Sequence, residues 1–168
     1  YQNNLLNAAP ILIKYNFSAT CYIVSGNIGS SNTWDSENKI TQRPLMSESE
    51  INHWLNLGMD IGAHTNTHPD LTSISEKKAL KEIKDCKDDL SKKFNVNVKD
   101  FCYPFGLYNK LICNMAKDSG YLSATTMIRG RASSKSDRYL LPRIPINHRT
   151  LPLLFLAKIL TRYEDRRK

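Results

Sequence analysis

What this chain lacks narrows it first. No stretch of its 168 residues approaches the roughly 20 consecutive apolar residues a bilayer crossing requires, so no transmembrane helix is expected. Tyr1-Gln2-Asn3-Asn4 has neither the basic region nor the apolar run of a signal peptide. An initiator Met is missing too, so the chain reads as processed or cut, and its compartment stays open. None of the four cysteines, Cys21, Cys86, Cys102 and Cys113, forms a CxxC pair, which argues against both a zinc finger and a dense disulfide scaffold. Cys21 and Cys102 lie in apolar, strand-like runs, where free buried thiols suffice as an explanation. Internal repeats, low-complexity linkers and aromatic RNA-binding motifs are absent as well.

What is present suits one domain over residues 1–168, long enough to bury a core. The net charge of +8 is uneven: residues 1–63 carry three Lys/Arg against five Asp/Glu, and residues 64–168 carry 21 against 11. A basic half can serve a polyanion, but Lys77 to Lys93 is interleaved with Glu82, Asp85, Asp88 and Asp89. That pattern reads as i,i+4 pairing on a solvated helix face, and no nucleic-acid partner is expected.

Helical and strand-like segments alternate along the chain. Residues 3–15 space Leu5, Leu6, Ala9, Leu12 and Ile13 for one buried face, with Pro10 as a point of kinking. Residues 18–24 read as a buried strand and 26–44 as a polar, exposed loop. Ser47 and Glu50 form a capping-box signature for a helix burying Ile51, Trp54 and Leu55, ended by Gly58. A short strand over 59–63 delivers His64. Ser75 opens the longest helix, with Ala79, Leu80, Ile83, Cys86, Leu90 and Phe94 on its apolar face. Strands follow at 101–103, 121–126 and 140–146, with helices at 110–119 and 151–160 and a charged tail over 162–168. This alternation implies an α/β fold with a parallel sheet or barrel. Such folds gather their chemistry at the carboxyl ends of strands, where His64, Tyr103 and Arg143 fall.

The chemistry centres on His64-Thr65-Asn66-Thr67-His68. Neutral imidazoles are good ligands for zinc and similar divalent ions, although histidines four residues apart also occur in ordinary loops. Here the first ends a strand, and Pro69 blocks simple helical continuation through the second. Two ligands from one strand-end loop leave positions for a carboxylate, water and substrate, the layout of a catalytic rather than a closed structural site.

The segment HTNTHPDLT (64–72) resembles the second motif, His-[Ser/Thr]-x-x-His, of the polysaccharide deacetylase family, the NodB-homology carbohydrate esterases. ALKEIKDCKDDLSKKF (79–94) looks like the helix after that motif, and YPFG (103–106) like the third motif. DSGYLSATT (118–126) resembles the next helix–strand junction, and LPRIPI (141–146) looks like the Arg-bearing strand of one branch. The resemblance implies a distorted, incomplete (β/α) barrel. Residues 1–12 look like the helix that follows the family's Asp-Asp-Gly motif. By resemblance, then, the first strand and the catalytic aspartates lie immediately before Tyr1, and the domain is N-terminally truncated.

The resemblance further implies one divalent metal ion, zinc or else cobalt or another, held by His64, His68 and an aspartate. The second aspartate is the expected general base, with a backbone N–H near Phe105 as oxyanion donor. The implied reaction removes acetyl groups from N- or O-acetylated sugars of a polysaccharide, in the cell envelope, the periplasm or outside the cell. The family's Arg before its third-motif Pro is missing from Phe101-Cys102-Tyr103. Arg143 is the candidate to replace its charge, against an ordinary surface or phosphate-binding role. His148 is the candidate general acid, although INHRT departs from the family's context. Tyr103 and Phe105 are candidates to line the sugar groove, against a core role, and His53 reads as a surface residue. Two alternatives stand beside this: an inactive remnant that binds sugar or metal weakly, and a cyclic amide or imide hydrolase on the same scaffold. An absent first strand would also leave a sheet edge open to self-association.

Overall fold

The computed structural model describes every residue except Lys39, Arg167 and Lys168, and the side chains of Glu37 and Asn38 are likewise outside the described set. The end of the expected charged tail therefore lies outside the described residues. Five strands, β1 (Thr20–Ile23), β2 (Asp60–Ala63), β3 (Asp100–Cys102), β4 (Ser123–Arg129) and β5 (Leu141–Arg143), form one sheet in the order β1-β2-β3-β4-β5. All four pairings are parallel. Sequential order without a switch point is what a (β/α) barrel gives and a doubly wound sheet does not.

Parallel neighbours need crossovers, and helices supply three of them. The helix α2 (Glu48–Asn56) joins β1 to β2, α3 (Glu76–Phe94) joins β2 to β3, and α4 (Lys110–Asp118) joins β3 to β4. Preceding β1 is α1 (Ala9–Lys14), and α5 (Pro152–Leu160) follows β5. The start of α2 is the capping box expected from Ser47 and Glu50, with Ser47 N donating to Glu50 Oε2 at 2.8 Å. Gly58 leaves that helix at φ +78°. The core runs between sheet and helices, and Ile51, Ala79, Ile83, Cys86, Leu90 and Phe101 are all fully enclosed.

Several expectations are corrected. Asn4–Ala8 is π-helical, with Ala9 N–H donating to Asn4 O five residues back. Pro10, at the start of α1, lacks an N–H and crowds the preceding turn, which accounts for the widening. Leu6 and Ile13 are exposed, so the buried face of this segment is narrower than its spacing suggested. Ser75 is the N-cap of α3 but makes no side-chain capping bond, and Leu80 on that helix is exposed. The strand expected over 140–146 stops at Arg143; Pro142 and Pro145 remove two ladder donors. The loop over 26–44 carries two 3-10 turns, Ser25–Asn27 and Thr33–Asn38. All four cysteines are free, and Cys21, Cys86 and Cys102 are buried.

Candidate metal centre

The two histidines of the sequence motif converge. His64 follows β2 directly, and its N–H donates to Ile23 O at 2.9 Å, extending the β1–β2 ladder by one residue. Thr65 and His68 both have positive φ, +66° and +63°. For a β-branched threonine that is a strained conformation, of the kind that clusters at functional sites. Thr65 Oγ1 offsets part of the cost by accepting from His68 N at 3.0 Å. Ser25 N donates to Thr65 O at 3.2 Å and Gly26 N to Asn66 O at 2.9 Å, so the end of β1 is laced to the loop. The turn bends the chain back until His64 Nε2 and His68 Nε2 are 3.2 Å apart.

The tautomers follow from the partners. His64 Nδ1 lies 2.7 Å from the carbonyl of Cys102, at the end of β3. A carbonyl only accepts, so Nδ1 carries the proton and Nε2 presents its lone pair. His68 Nε2–H then donates to it, while His68 Nδ1 is buried with no hydrogen-bond partner among the described residues. Burial lowers the pKa of His64 to about 4, with Arg143 adding to the effect and the Cys102 carbonyl opposing it. For His68 burial again comes first, then the neighbouring His64, with Asp35 opposing, and the value is also about 4. Both rings are therefore neutral at neutral pH, as metal ligands must be.

The donor set fits a divalent cation once the His68 proton sits on Nδ1, the tautomer that frees the lone pairs of both Nε2 atoms. Two imidazoles on one tetrahedral zinc, at Zn–N of about 2.0–2.1 Å, have nitrogens about 3.3 Å apart, close to the observed separation. The Cys102 carbonyl fixes the ring orientation of His64 in the manner of an outer-shell partner. Among the described residues, no third His, Cys, Asp or Glu joins the pair to make a group of three.

Aromatic rings enclose His68. Trp34 stacks on it with centroids 4.6 Å apart and planes at 21°, and Phe105 meets it edge-on at 4.7 Å. Phe105 sits at φ +57° in the turn after β3 and is 43% exposed. A cavity of about 130 Å³ opens beside the pair, lined by Tyr22, Trp34, Val24, Met46, His64 and His68 among others. Tyr22 on β1 has room for its ring because the facing residue is Gly62, where a Cβ would lie 2.6 Å from Tyr22 Cδ1.

The other candidates divide. Arg143 ends β5, exposed, with Nε donating to Thr126 O at 2.7 Å, and its charge reaches both His64 and Tyr22. Tyr103 does not line the groove with its side chain. It is fully buried, packs on Phe101 and Tyr108, and its hydroxyl donates to Tyr139 O at 3.0 Å. A tyrosine just past a central strand has the core on one side, and a carbonyl there satisfies its hydroxyl. His148 is exposed on the turn after β5 and shares no hydrogen bond or ring contact with the pair. His53 lies exposed on α2, as expected. Sequence reasoning missed Trp34 and Tyr22. A large aromatic in an otherwise polar loop was the available signal for Trp34, and a glycine inside a strand was the signal for Tyr22.

A parallel sheet with two neutral imidazoles converging at its carboxyl edge defines an α/β protein of the (β/α)-barrel kind with its site at the strand ends. The sequence profile of the polysaccharide deacetylase family matches residues 1–124, and the chain belongs to that family. It is similar to the deacetylase PplD of Streptococcus pyogenes, solved in complex with acetate: TM-score 0.79, 29% identity, covering 94% of this chain and 65% of that one. BC0361, a polysaccharide deacetylase from Bacillus cereus, gives TM-score 0.79 at 26% identity over 94% of this chain and 48% of that one. The poly-beta-1,6-N-acetyl-D-glucosamine N-deacetylase of Staphylococcus epidermidis is 27% identical over 150 residues, 84% of this chain and 50% of its own length. The chain thus spans about half the length of such curated relatives.

Proposed function

We propose that this chain is the greater part of a metal-dependent deacetylase domain acting on an acetylated amino-sugar polymer of the cell envelope. One observation carries the reading: two neutral imidazole nitrogens face each other at 3.2 Å beyond the carboxyl ends of β2 and β3. The similarity to a poly-N-acetylglucosamine deacetylase supports the substrate class.

His64 and His68 would hold the ion, zinc or another divalent cation. When bound, such an ion polarises the acetyl carbonyl and lowers the pKa of water. The chain's own residues do the rest of what is assigned to them. The Cys102 carbonyl keeps His64 in the ligating tautomer. Phe105 holds a positive φ in the turn after β3, and its N–H is the proposed oxyanion donor. Trp34 and Phe105 exclude water from His68. Arg143 contributes positive charge near His64, suited to orienting a carboxylate base. A third ligand and a base are what the pair lacks among the described residues, and the family's Asp-Asp-Gly segment is the proposed source of both. His148 as general acid requires the turn after β5 to approach the substrate.

The lack of a third donor favours a second reading, a family member that binds metal or sugar weakly and turns nothing over. Acetate release from N-acetylglucosamine oligomers separates the two. The chain as given is expected to release little, and the chain extended by an Asp-Asp-Gly strand to release acetate in a manner abolished by His64→Ala. Silence from the extended, metal-loaded chain would sink the deacetylase reading. Among the described residues β1 pairs only with β2, so self-association through its other edge belongs to the same proposal, read by sedimentation.

A further inference from the structure

Glu82 belongs by sequence to the charged face of α3, and i,i+4 pairing is the role its neighbours suggest. Its neighbours do pair that way, Lys81 with Asp85. Glu82 does something else: among the described residues it forms no salt bridge, and its carboxylate turns to the loop between the two histidines. Oε2 accepts from the backbone N–H of both Asn66 and Thr67, each at 2.8 Å, and Oε1 accepts from Thr67 Oγ1 at 2.7 Å. Two successive amides and a hydroxyl on one anion form a charge-assisted cradle of the kind that fixes a backbone turn.

That turn is the one that needs fixing. Thr65 and His68, on either side of the two amides, hold positive φ, and the facing of the imidazoles depends on both. Neither residue is glycine, and inside the turn only the Thr65 Oγ1–His68 N bond offsets the strain, so support must come from outside it. The carboxylate is itself held by a rigid support. The next residue, Ile83, is fully buried and its carbonyl accepts from Tyr121 Oη at 2.9 Å, while Cys86 one turn on is enclosed beneath β1. The face of α3 toward the sheet is thus locked, and the position of Glu82 with it.

We propose that Glu82 is a positioning residue: it holds the Asn66–Thr67 turn in the strained form that brings His64 and His68 onto one cation. The inference deepens the metal reading above and rests on it for the cation. It predicts a loss of metal affinity without loss of fold, because the carboxylate touches only the loop.

The experiment titrates cobalt(II) into the full chain and its Glu82→Ala, Glu82→Gln and Asp85→Asn variants, alongside thermal melts. It adds NMR hydrogen exchange of the Asn66 and Thr67 amides without metal. Glu82→Ala is expected to weaken cobalt binding by about 10–100-fold, as outer-shell changes do, and to speed exchange at both amides. Glu82→Gln keeps a carbonyl acceptor and should recover part of each loss, while Asp85→Asn matches the parent. Equal affinity and equal exchange in Glu82→Gln and Glu82→Ala relative to the parent would overturn the proposal. A parent chain that binds no cobalt, with exchange still accelerated in the variants, would overturn the metal reading and leave Glu82 as the residue that sets the turn. Should Glu82→Ala fail to melt cooperatively, the isosteric Glu82→Gln decides by the same two readouts.

Discussion

Trp34 lies nearly flat on His68, their centroids 4.6 Å apart and their planes 21° from parallel, although the two residues come from separate strand-end loops. The stack excludes water from an imidazole whose pKa is already held to about 4 chiefly by burial. Trp34→Ala should therefore raise the His68 midpoint from about 4 toward its ordinary 6.5, followed by the ring proton shifts of His68 in NMR. The accompanying loss of stability from the stack is about 0.5–1.5 kcal/mol beyond the lost area. An unmoved midpoint would mean that the floor of the cavity, not the indole, desolvates the ring.

The depressed histidines also set a pH dependence of stability. Each folded imidazole titrates near 4 and each unfolded one near 6.5. Between those values the unfolded chain binds protons that the folded chain does not, so stability is complete above pH 6.5 and falls as pH drops toward 4. In chelator, the urea-derived stability should fall by roughly 2–4 kcal/mol between pH 7 and pH 5. His64→Gln/His68→Gln should start lower but show a flatter slope across that window. A slope as steep as the parent's would assign the dependence to other groups.

Legibility from sequence followed the range of the interactions. The capping box at Ser47 and Glu50 and the His64/His68 pair lie within a few residues, and both were visible as motifs. The parallel sheet was visible because alternating elements leave few other arrangements. Trp34 on His68 and Tyr22 opposite Gly62 span tens of residues with no periodic signature, so only the fold reveals them. Glu82 was misread because its spacing satisfies the i,i+4 rule equally well, and spacing does not say which partner wins. Tyr103 was placed at the right strand end, but the side toward which its ring turns is a packing outcome.

Gly26 tests how tightly the histidine loop is tied to β1. A Cβ there would lie 2.6 Å from Asn66 Oδ1 and 2.7 Å from Asn66 O, and the second of these is backbone that cannot swing aside. Gly26→Ala must push the chains apart, at about 1–3 kcal/mol for an overpacked contact. Because Asn66 lies between the two histidines, cobalt affinity should fall with stability. Gly62→Ala, which instead meets the Tyr22 ring and the Asp100 carbonyl, should lower the melting temperature with less effect on cobalt. Equal effects of the two on cobalt would show that the loop follows the whole sheet, not Gly26 in particular.

The helix α5 is turned inside out: Leu153 is 83% exposed and Leu160 70%, whereas its only charged residue, Lys158, is 7% exposed. Lys158 Nζ donates to Pro145 O at 2.7 Å and lies 2.5 Å from Glu164 Oε1, while Arg129 Nη1 approaches Glu164 Oε2 at 3.4 Å. The buried charges thereby tie the helix and the segment after it to β4. Removing one partner of such a pair leaves a desolvated charge and typically costs about 3–5 kcal/mol, whereas an apolar replacement of both can be nearly neutral. Lys158→Met should therefore destabilise the chain by about that amount in urea titrations, and Lys158→Met/Glu164→Leu should recover most of it. If the double variant is as unstable as the single one, shape rather than charge compensation holds α5 in place. If Lys158→Met costs nothing, the network is not what orients the helix, and its outward leucines would need another cause.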